Sequence, residues 1–105
     1  DYDTLIAMPD APDEARGEAF RNRGIMKAEK GDILGALADY TAAIELPGAR
    51  PEDRAASLNN RGVIRMNMRN YDGAKADFYA VMAMKDVPED IRKTAADNFD
   101  IVKLK

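Results

Sequence analysis

The sequence predicts an all-α fold in which antiparallel helix-turn-helix repeats stack on one another. Two separate blocks recur at one offset of 38 residues: Asn22-Arg23-Gly24 returns as Asn60-Arg61-Gly62, and Gly35-Ala36-Leu37-Ala38-Asp39-Tyr40 returns as Gly73-Ala74-Lys75-Ala76-Asp77-Phe78. Apolar and small residues within each unit fall at helical spacing. Residues that favour helix starts and stops separate these stretches. Each unit is therefore predicted to be a helix, a tight turn and a second helix.

Five helices follow from this pattern, at about 12–30, 33–46, 51–69, 72–85 and 88–103. The first, third and fifth begin with Pro, Asp and Glu at Pro12-Asp13-Glu14, Pro51-Glu52-Asp53 and Pro88-Glu89-Asp90. Proline favours the first helical position, and carboxylates in the first turn complement the helix dipole. These three starts mark three entries into a helix of the first type.

The second helix of each unit follows a short turn, Gly31-Asp32 in one unit and Asn70-Tyr71-Asp72 in the other. Gly or Asn can close the preceding helix, and Asp or Asn can cap the next one. The apolar stripes of these two helices are Ala36, Tyr40, Ala43 and Ile44, and Ala74, Phe78, Val81 and Met82.

The chain is expected to form a single domain. Repeat 1 occupies 12–47, repeat 2 occupies 51–86, and 88–105 is a capping helix or a truncated third repeat. The stripe formed by Ile91, Ala95, Phe99 and Val102 would let the last helix cover the open end of the stack. The segment 1–11 is expected to be an N-terminal extension without a clear partner.

The composition excludes several classes of function. The 105 residues include no Cys and no His, which rules out thiol nucleophiles, disulfides, Cys or His zinc sites and a Ser-His-Asp triad within this chain. The 16 basic and 19 acidic residues are mixed and sum to −3, so no basic footprint indicates a nucleic-acid partner. No membrane span and no signal peptide is predicted, and we expect a cytoplasmic protein. The start at Asp1 indicates a fragment or a processed product.

At these residues the chain resembles the tetratricopeptide repeat (TPR) family, and its Asn-Arg-Gly form is similar to the tandem repeats of bacterial arrays. The small residue of the family's first helix is matched by Gly24 and Gly62. The aromatic of its second helix is matched by Tyr40 and Phe78. The resemblance covers roughly 15–85 and implies a short right-handed α-solenoid of two TPR units plus the capping helix.

Three features depart from the family pattern. Lys27 and Arg65 replace the aromatic that is usual near the end of the first helix. The offset of 38 exceeds the family's 34, and the excess most simply lies in the loop 47–51. Two repeats are fewer than the usual three, so the terminal helix must supply the missing burial, or part of a longer array is absent.

The resemblance also implies a binding surface, because the first helices of such repeats line a concave groove that holds peptides or helices of other proteins. By position, the partner-binding residues would be Arg21, Ile25, Ala28, Asn59, Asn60, Val63 and Met66. Glu18 and Ala56 would also belong to the groove. This groove is mostly neutral and partly apolar.

Three of these residues have a simpler structural interpretation. Arg21 would lie on a solvated helix face, Asn60 would form a hydrogen bond within the repeat, and Met66 would fill a gap in the core. A subtype of the family clamps the C-terminal tail of heat-shock chaperones with basic and amide side chains. Arg21 and Asn60 match two clamp positions, whereas Ile25 occupies the second amide position and only Lys93 approximates the third-repeat base.

The expected function is a non-catalytic scaffold that binds a protein or peptide partner, with no cofactor, no metal and no membrane or nucleic-acid partner. A monomer is favoured. One alternative is a segment of a longer repeat array or a self-association module. Another is an enzyme built on carboxylates, which would need a buried pair of Asp or Glu side chains in a cleft. The carboxylates of the three helix starts, including Asp53, are expected to be exposed helix-start charges.

Overall fold

The protein, described over all 105 residues by a computed structural model, contains six α-helices and no β-strand. They are α1 (Tyr2–Ala7), α2 (Asp13–Glu29), α3 (Ile33–Glu45), α4 (Pro51–Asn67), α5 (Tyr71–Met82) and α6 (Glu89–Val102). Each helix packs against its neighbours in chain order, and α4 also contacts both α2 and α6. The all-helical prediction is therefore confirmed, in a molecule that measures 44 × 31 × 18 Å. None of the helices is long and apolar enough to cross a bilayer.

The five predicted helices agree with α2 to α6 to within three residues at each end. The largest difference is at α5, which ends at Met82 rather than near residue 85. There the N–H of Met84 donates to the carbonyl of Val81 at 3.0 Å. This bond spans three residues, whereas the bonds of an α-helix span four. This last tight turn directs the chain into the loop before α6.

Proline occupies two different positions at the starts of the first-type helices. Pro51 is the first helical residue of α4, as predicted. Pro12 and Pro88 instead precede their helices as N-cap residues in extended backbone, which corrects the prediction for those two starts. The three N-cap residues are Pro12, Arg50 and Pro88, which are evenly separated by 38 residues. The structural repeat is therefore regular, although the proline of the second start lies one position later than the other two.

The turns inside the two helix pairs have the same construction. Asp32 caps α3 by accepting the N–H of Gly35 at 3.0 Å, and Asn70 caps α5 by accepting the N–H of Gly73 at 3.2 Å. Gly31, at φ 86°, closes α2 in the left-handed region that favours glycine. In the second pair this conformation falls on Arg69, at φ 64°.

Within each pair, the helices approach closely at one glycine. A Cβ atom placed on Gly24 would lie 2.7 Å from Cε1 of Tyr40. A Cβ atom on Gly62 would lie 2.6 Å from Cε1 of Phe78. Both aromatic rings are almost completely buried. The two repeated sequence blocks therefore meet in space, with glycine on the first helix facing an aromatic ring on the second.

The segment 1–11, expected to lack a partner, contains α1, which packs against α2. Nη1 of Arg23 on α2 donates to the carboxylate of Asp3 on α1 at 2.8 Å. In the second repeat, Nη1 of Arg61 on α4 donates to the hydroxyl of Thr41 on α3 at 3.1 Å. Asp3 and Thr41 are separated by the same 38 residues. Helix α1 therefore contacts α2 through the position that α3 uses to contact α4.

The C-terminal helix lies on α4 and α5 with the predicted stripe facing inward. Ala95 is buried in one apolar cluster, against which Ile91 packs. Val102 is buried in a second cluster with Phe78 and Ala74, and Phe99 packs beside them. Where α2 and α4 carry their close-approach glycines, α6 carries Asp100. Helix α6 therefore lacks the glycine at which α2 and α4 each pack closely against an aromatic side chain of a second helix.

Candidate functional site

A buried carboxylate flanked by two cations lies between the helices of each pair. In the second pair, Asp77 is 2% exposed and accepts hydrogen bonds from Nε and Nη2 of Arg61 at 3.0 and 2.8 Å. Nη1 of Arg65 lies 3.2 Å from both carboxylate oxygens. A bidentate guanidinium and a second cation together compensate the cost of burying this charge.

The first pair repeats this cluster. Asp39 is 3% exposed and accepts hydrogen bonds from Nε and Nη2 of Arg23 at 2.8 and 2.7 Å. Nζ of Lys27 lies 3.2 Å from the same carboxylate. Burial by itself would raise the pKa of Asp39, but the hydrogen bonds and positive charges of Arg23 and Lys27 outweigh it and hold this pKa below its ordinary value. The same ion pair raises the pKa of Arg23 further.

These clusters explain the departure noted at Lys27 and Arg65. Both positions supply the second cation for the buried aspartate, where the family resemblance leads one to expect an aromatic ring. Sequence reasoning missed the clusters, although the signal was present. A first-helix arginine, a cation four residues later and a second-helix aspartate all recur at the 38-residue offset.

The lowered pKa of Asp39 predicts a pH-dependent contribution to stability. A carboxylate whose pKa is lower in the folded state stabilises the protein above its unfolded pKa, about 3.9, and this contribution disappears as the pH falls through the folded pKa. Asp39→Asn is expected to reduce the free energy of unfolding by about 2 kcal/mol at pH 7. In urea titrations, the difference between wild type and variant should stay constant above about pH 5 and shrink below about pH 4.

Asp10→Asn is the matched control for this titration, because Asp10 is exposed and forms no hydrogen bond or ion pair. Asp13 has a pKa lowered by hydrogen bonds from Arg16 and the N–H of Gly48. It is present in all three proteins and cancels in the difference. A gap between wild type and Asp39→Asn that persists unchanged at pH 2 would contradict the assignment to Asp39 ionisation.

The predicted groove residue Arg21 is occupied by an internal contact. Its Nε donates to the carboxylate of Asp53 at 2.6 Å, joining α2 to α4. Asp53 is 5% exposed, so its prediction as an exposed helix-start charge is wrong. The reason is the contact between α2 and α4, which covers the first turn of α4 and supplies the guanidinium partner. Arg21 therefore bridges the two first-type helices, and its side chain is only 26% exposed.

Four of the seven predicted groove residues line one cleft between α2 and α4. They are Ile25, Ala28, Asn60 and Val63. The cleft has a volume of about 360 Å³, and its other lining residues are Glu29, Tyr40 and Ile64. Five of these seven residues are hydrophobic, so the walls are mostly apolar. Such a cleft, near the lower end of the volumes of small binding sites, can accept apolar side chains.

The polar side chains of the cleft lining are Tyr40, Asn60 and Glu29. Asn60 lies near enough to the Tyr40 hydroxyl to lower the pKa of that phenol. Burial raises the pKa of Tyr40, and the nearby carboxylates of Asp39 and Glu29 raise it further, while Asn60 and the charge of Arg21 partly oppose them. The phenol therefore stays neutral at physiological pH. Glu29 is the only charged residue in the lining, and it is exposed without an ion pair.

The remaining two predicted residues lie elsewhere. Asn59 is 8% exposed, and its Oδ1 atom has no hydrogen-bond partner. Met66 packs against the apolar cluster of Phe78 and Val102, in agreement with its interpretation as a residue that fills a gap in the core. Neither contributes to the cleft lining.

The acidic side chains of the chain do not form a metal-ligand cluster. No three Asp or Glu side chains converge at ligand distances. The buried carboxylates of Asp39, Asp53 and Asp77 are each hydrogen-bonded to at least one arginine. None of them lines the cleft. What the cleft offers chemically is an apolar surface with a free carboxylate at its edge.

Comparison of this chain with protein-family models, curated proteins and solved structures gives no match.

Proposed function

We propose that this protein is a non-catalytic interaction module that binds a peptide or helix of a partner protein between its first-type helices. The single observation that carries the proposal is the apolar cleft, whose walls include Ile25, Ala28 and Val63. An apolar cleft with few polar groups is a typical site for anchoring side chains of a partner.

The helix contacts support a short right-handed solenoid of the TPR type as the scaffold of this module. In addition to chain neighbours, α2 contacts α4 and α4 contacts α6, so the first-type helices are consecutive members of one layer. The doubled glycine–aromatic contacts and the doubled arginine–aspartate clusters give both pairs the same construction. Such regularity is expected when each repeat contacts only its neighbours.

A clamp for the acidic tail of a chaperone is the weaker form of this proposal. Arg21 is neutralised by Asp53, to which it donates a hydrogen bond. One of the two side chains that matched clamp positions therefore has an internal partner. The remaining charge at the cleft, Glu29, would repel an acidic ligand.

The proposal can be tested by selecting displayed random peptides against the wild-type protein and two variants that carry the same substitution. Ala28→Arg places a long charged side chain in the cleft, because Ala28 is half-buried in its wall. Ala38→Arg is the matched control, since Ala38 is exposed on α3. Peptides selected on the wild type should bind Ala28→Arg at least about tenfold more weakly and bind Ala38→Arg unchanged.

Circular dichroism at matched concentrations establishes that both variants keep their helical content. Peptides that bind all three proteins equally would contradict the placement of the site in the cleft.

The position of α1 favours a second candidate function. This helix contacts α2 through Asp3 as α3 contacts α4 through Thr41, which is the contact that a preceding repeat would make. The alternative is therefore a structural segment of a longer repeat array, in which the cleft has no ligand of its own. Recovery of no peptide with affinity for the wild type would favour this candidate over the interaction module.

A further inference from the structure

The cleft between α2 and α4 combines an apolar interior with one free charge at its edge. Its aliphatic walls are formed by Ile25, Val63 and Ile64. The hydroxyl of Tyr40 and the amide of Asn60 are the only uncharged polar side-chain groups of the lining, so apolar surface dominates the interior. A ligand group that enters is therefore expected to be an aliphatic side chain. Its burial is favourable, and it has no polar group that needs a hydrogen-bond partner.

Charge sets the second element of recognition. Glu29, the last residue of α2, lines the cleft and forms no ion pair. Towards the start of the same helix, Glu14 and Glu18 share a single cation, Arg50, at 3.8 and 3.9 Å. The positive charge of Arg21, which lies between these glutamates and the cleft, is compensated by Asp53. The accessible face of α2 is consequently acidic.

We infer that the cleft selects a partner segment in which an aliphatic residue, Leu, Ile or Val, is followed or preceded directly by Lys or Arg. The aliphatic side chain occupies the space between Ile25 and Val63, and the neighbouring base lies at the Glu29 carboxylate. This inference rests on the proposed function, since it names the chemistry of the ligand for the same cleft. It distinguishes a basic-apolar ligand from the acidic tails that the clamp interpretation requires.

The experiment is a second peptide selection, carried out in parallel on the wild type, Glu29→Lys and Glu45→Lys. Glu45 is an exact counterpart in chemistry and position: it is the last residue of α3 and exposed, and it does not line the cleft. Both variants change the net charge equally, so a general electrostatic effect appears in both. Only an effect located at the cleft separates them.

The expected result is enrichment of aliphatic-basic pairs on the wild type and on Glu45→Lys, and replacement of the base by Asp or Glu on Glu29→Lys. Synthetic copies of the wild-type winners should bind Glu29→Gln about threefold more weakly and Glu29→Lys about tenfold more weakly, magnitudes typical of one exposed ion pair and its reversal. Raising the salt concentration should reduce these differences, because the carboxylate is exposed.

Two outcomes would overturn the inference, and they differ in what they leave standing. In the first outcome, the selected peptides lose affinity for Ala28→Arg, but they contain no aliphatic-basic pair or bind Glu29→Lys as well as the wild type. This result would refute the proposed ligand chemistry and leave the interaction module standing. Recovery of no peptide sensitive to Ala28→Arg would refute the proposed function, and the ligand chemistry with it.

Discussion

Gly62→Leu is expected to lower the free energy of unfolding by about 3 kcal/mol or more, because it overpacks the contact between α4 and α5. Even the first atom of a side chain at this position would lie 2.6 Å from Cε1 of Phe78 and 3.0 Å from two further ring atoms. The ring is 0% exposed and cannot move into solvent. The gain from replacing glycine inside a helix, about 1 kcal/mol, is too small to compensate. Urea unfolding followed by circular dichroism measures the effect.

A double-mutant cycle identifies the clash as the cause. Gly62→Ala and Phe78→Leu should each destabilise the protein, the first by steric conflict and the second by loss of buried ring. Combined, they should cost less than the sum by at least about 0.5 kcal/mol, because the smaller side chain makes room for the new methyl group. Ala76→Leu on the exposed face of α5 is the control and should have little effect. Strict additivity in the cycle would contradict the assigned contact.

Asp77→Ala is expected to destabilise the protein by about 3 kcal/mol, since it leaves two guanidinium groups without their shared carboxylate. The side chain of Arg61 is only 15% exposed and loses both of its short hydrogen bonds, although it keeps its contact with Thr41. Arg65 is 29% exposed and can reach solvent more easily, so most of the cost should come from Arg61. For a domain of this size the loss would remove a large fraction of the total stability.

Thermal and urea unfolding of Asp77→Ala should be compared with Asp86→Ala, which removes an exposed aspartate that forms no ion pair. The control is expected to change stability by less than about 0.5 kcal/mol. Asp77→Asn should fall between the two, because an amide oxygen can still accept a hydrogen bond but carries no charge. Equal stabilities of Asp77→Ala and Asp86→Ala would show that the buried cluster contributes nothing net.

The sequence was sufficient to predict the helices, because their signals are local. Apolar spacing, the capping residues Asp32 and Asn70 and the 38-residue repeat all act within one or two turns of chain. The structure confirms five predicted helices as α2 to α6. The short α1 was missed, since six residues carry too little periodicity to show a pattern and their partner lies in α2.

The candidate site was predicted less completely, because the position of a side chain depends on contacts between helices. Ile25, Ala28, Asn60 and Val63 were placed together correctly by the repeat register. Arg21 was expected to be accessible, and only the packing of α2 against α4 shows that it is held by Asp53.

Contacts between helices that are close in the sequence influence how the chain folds. All contacts between helices join elements that are adjacent in the chain or two apart, and none joins α1 or α2 to α6. Order can therefore grow outwards from any one helix pair without first closing a long loop, which favours rapid folding. The same connectivity allows either end to open while the middle stays folded, so rigidity should be greatest around α3 and α4 and decline towards both termini.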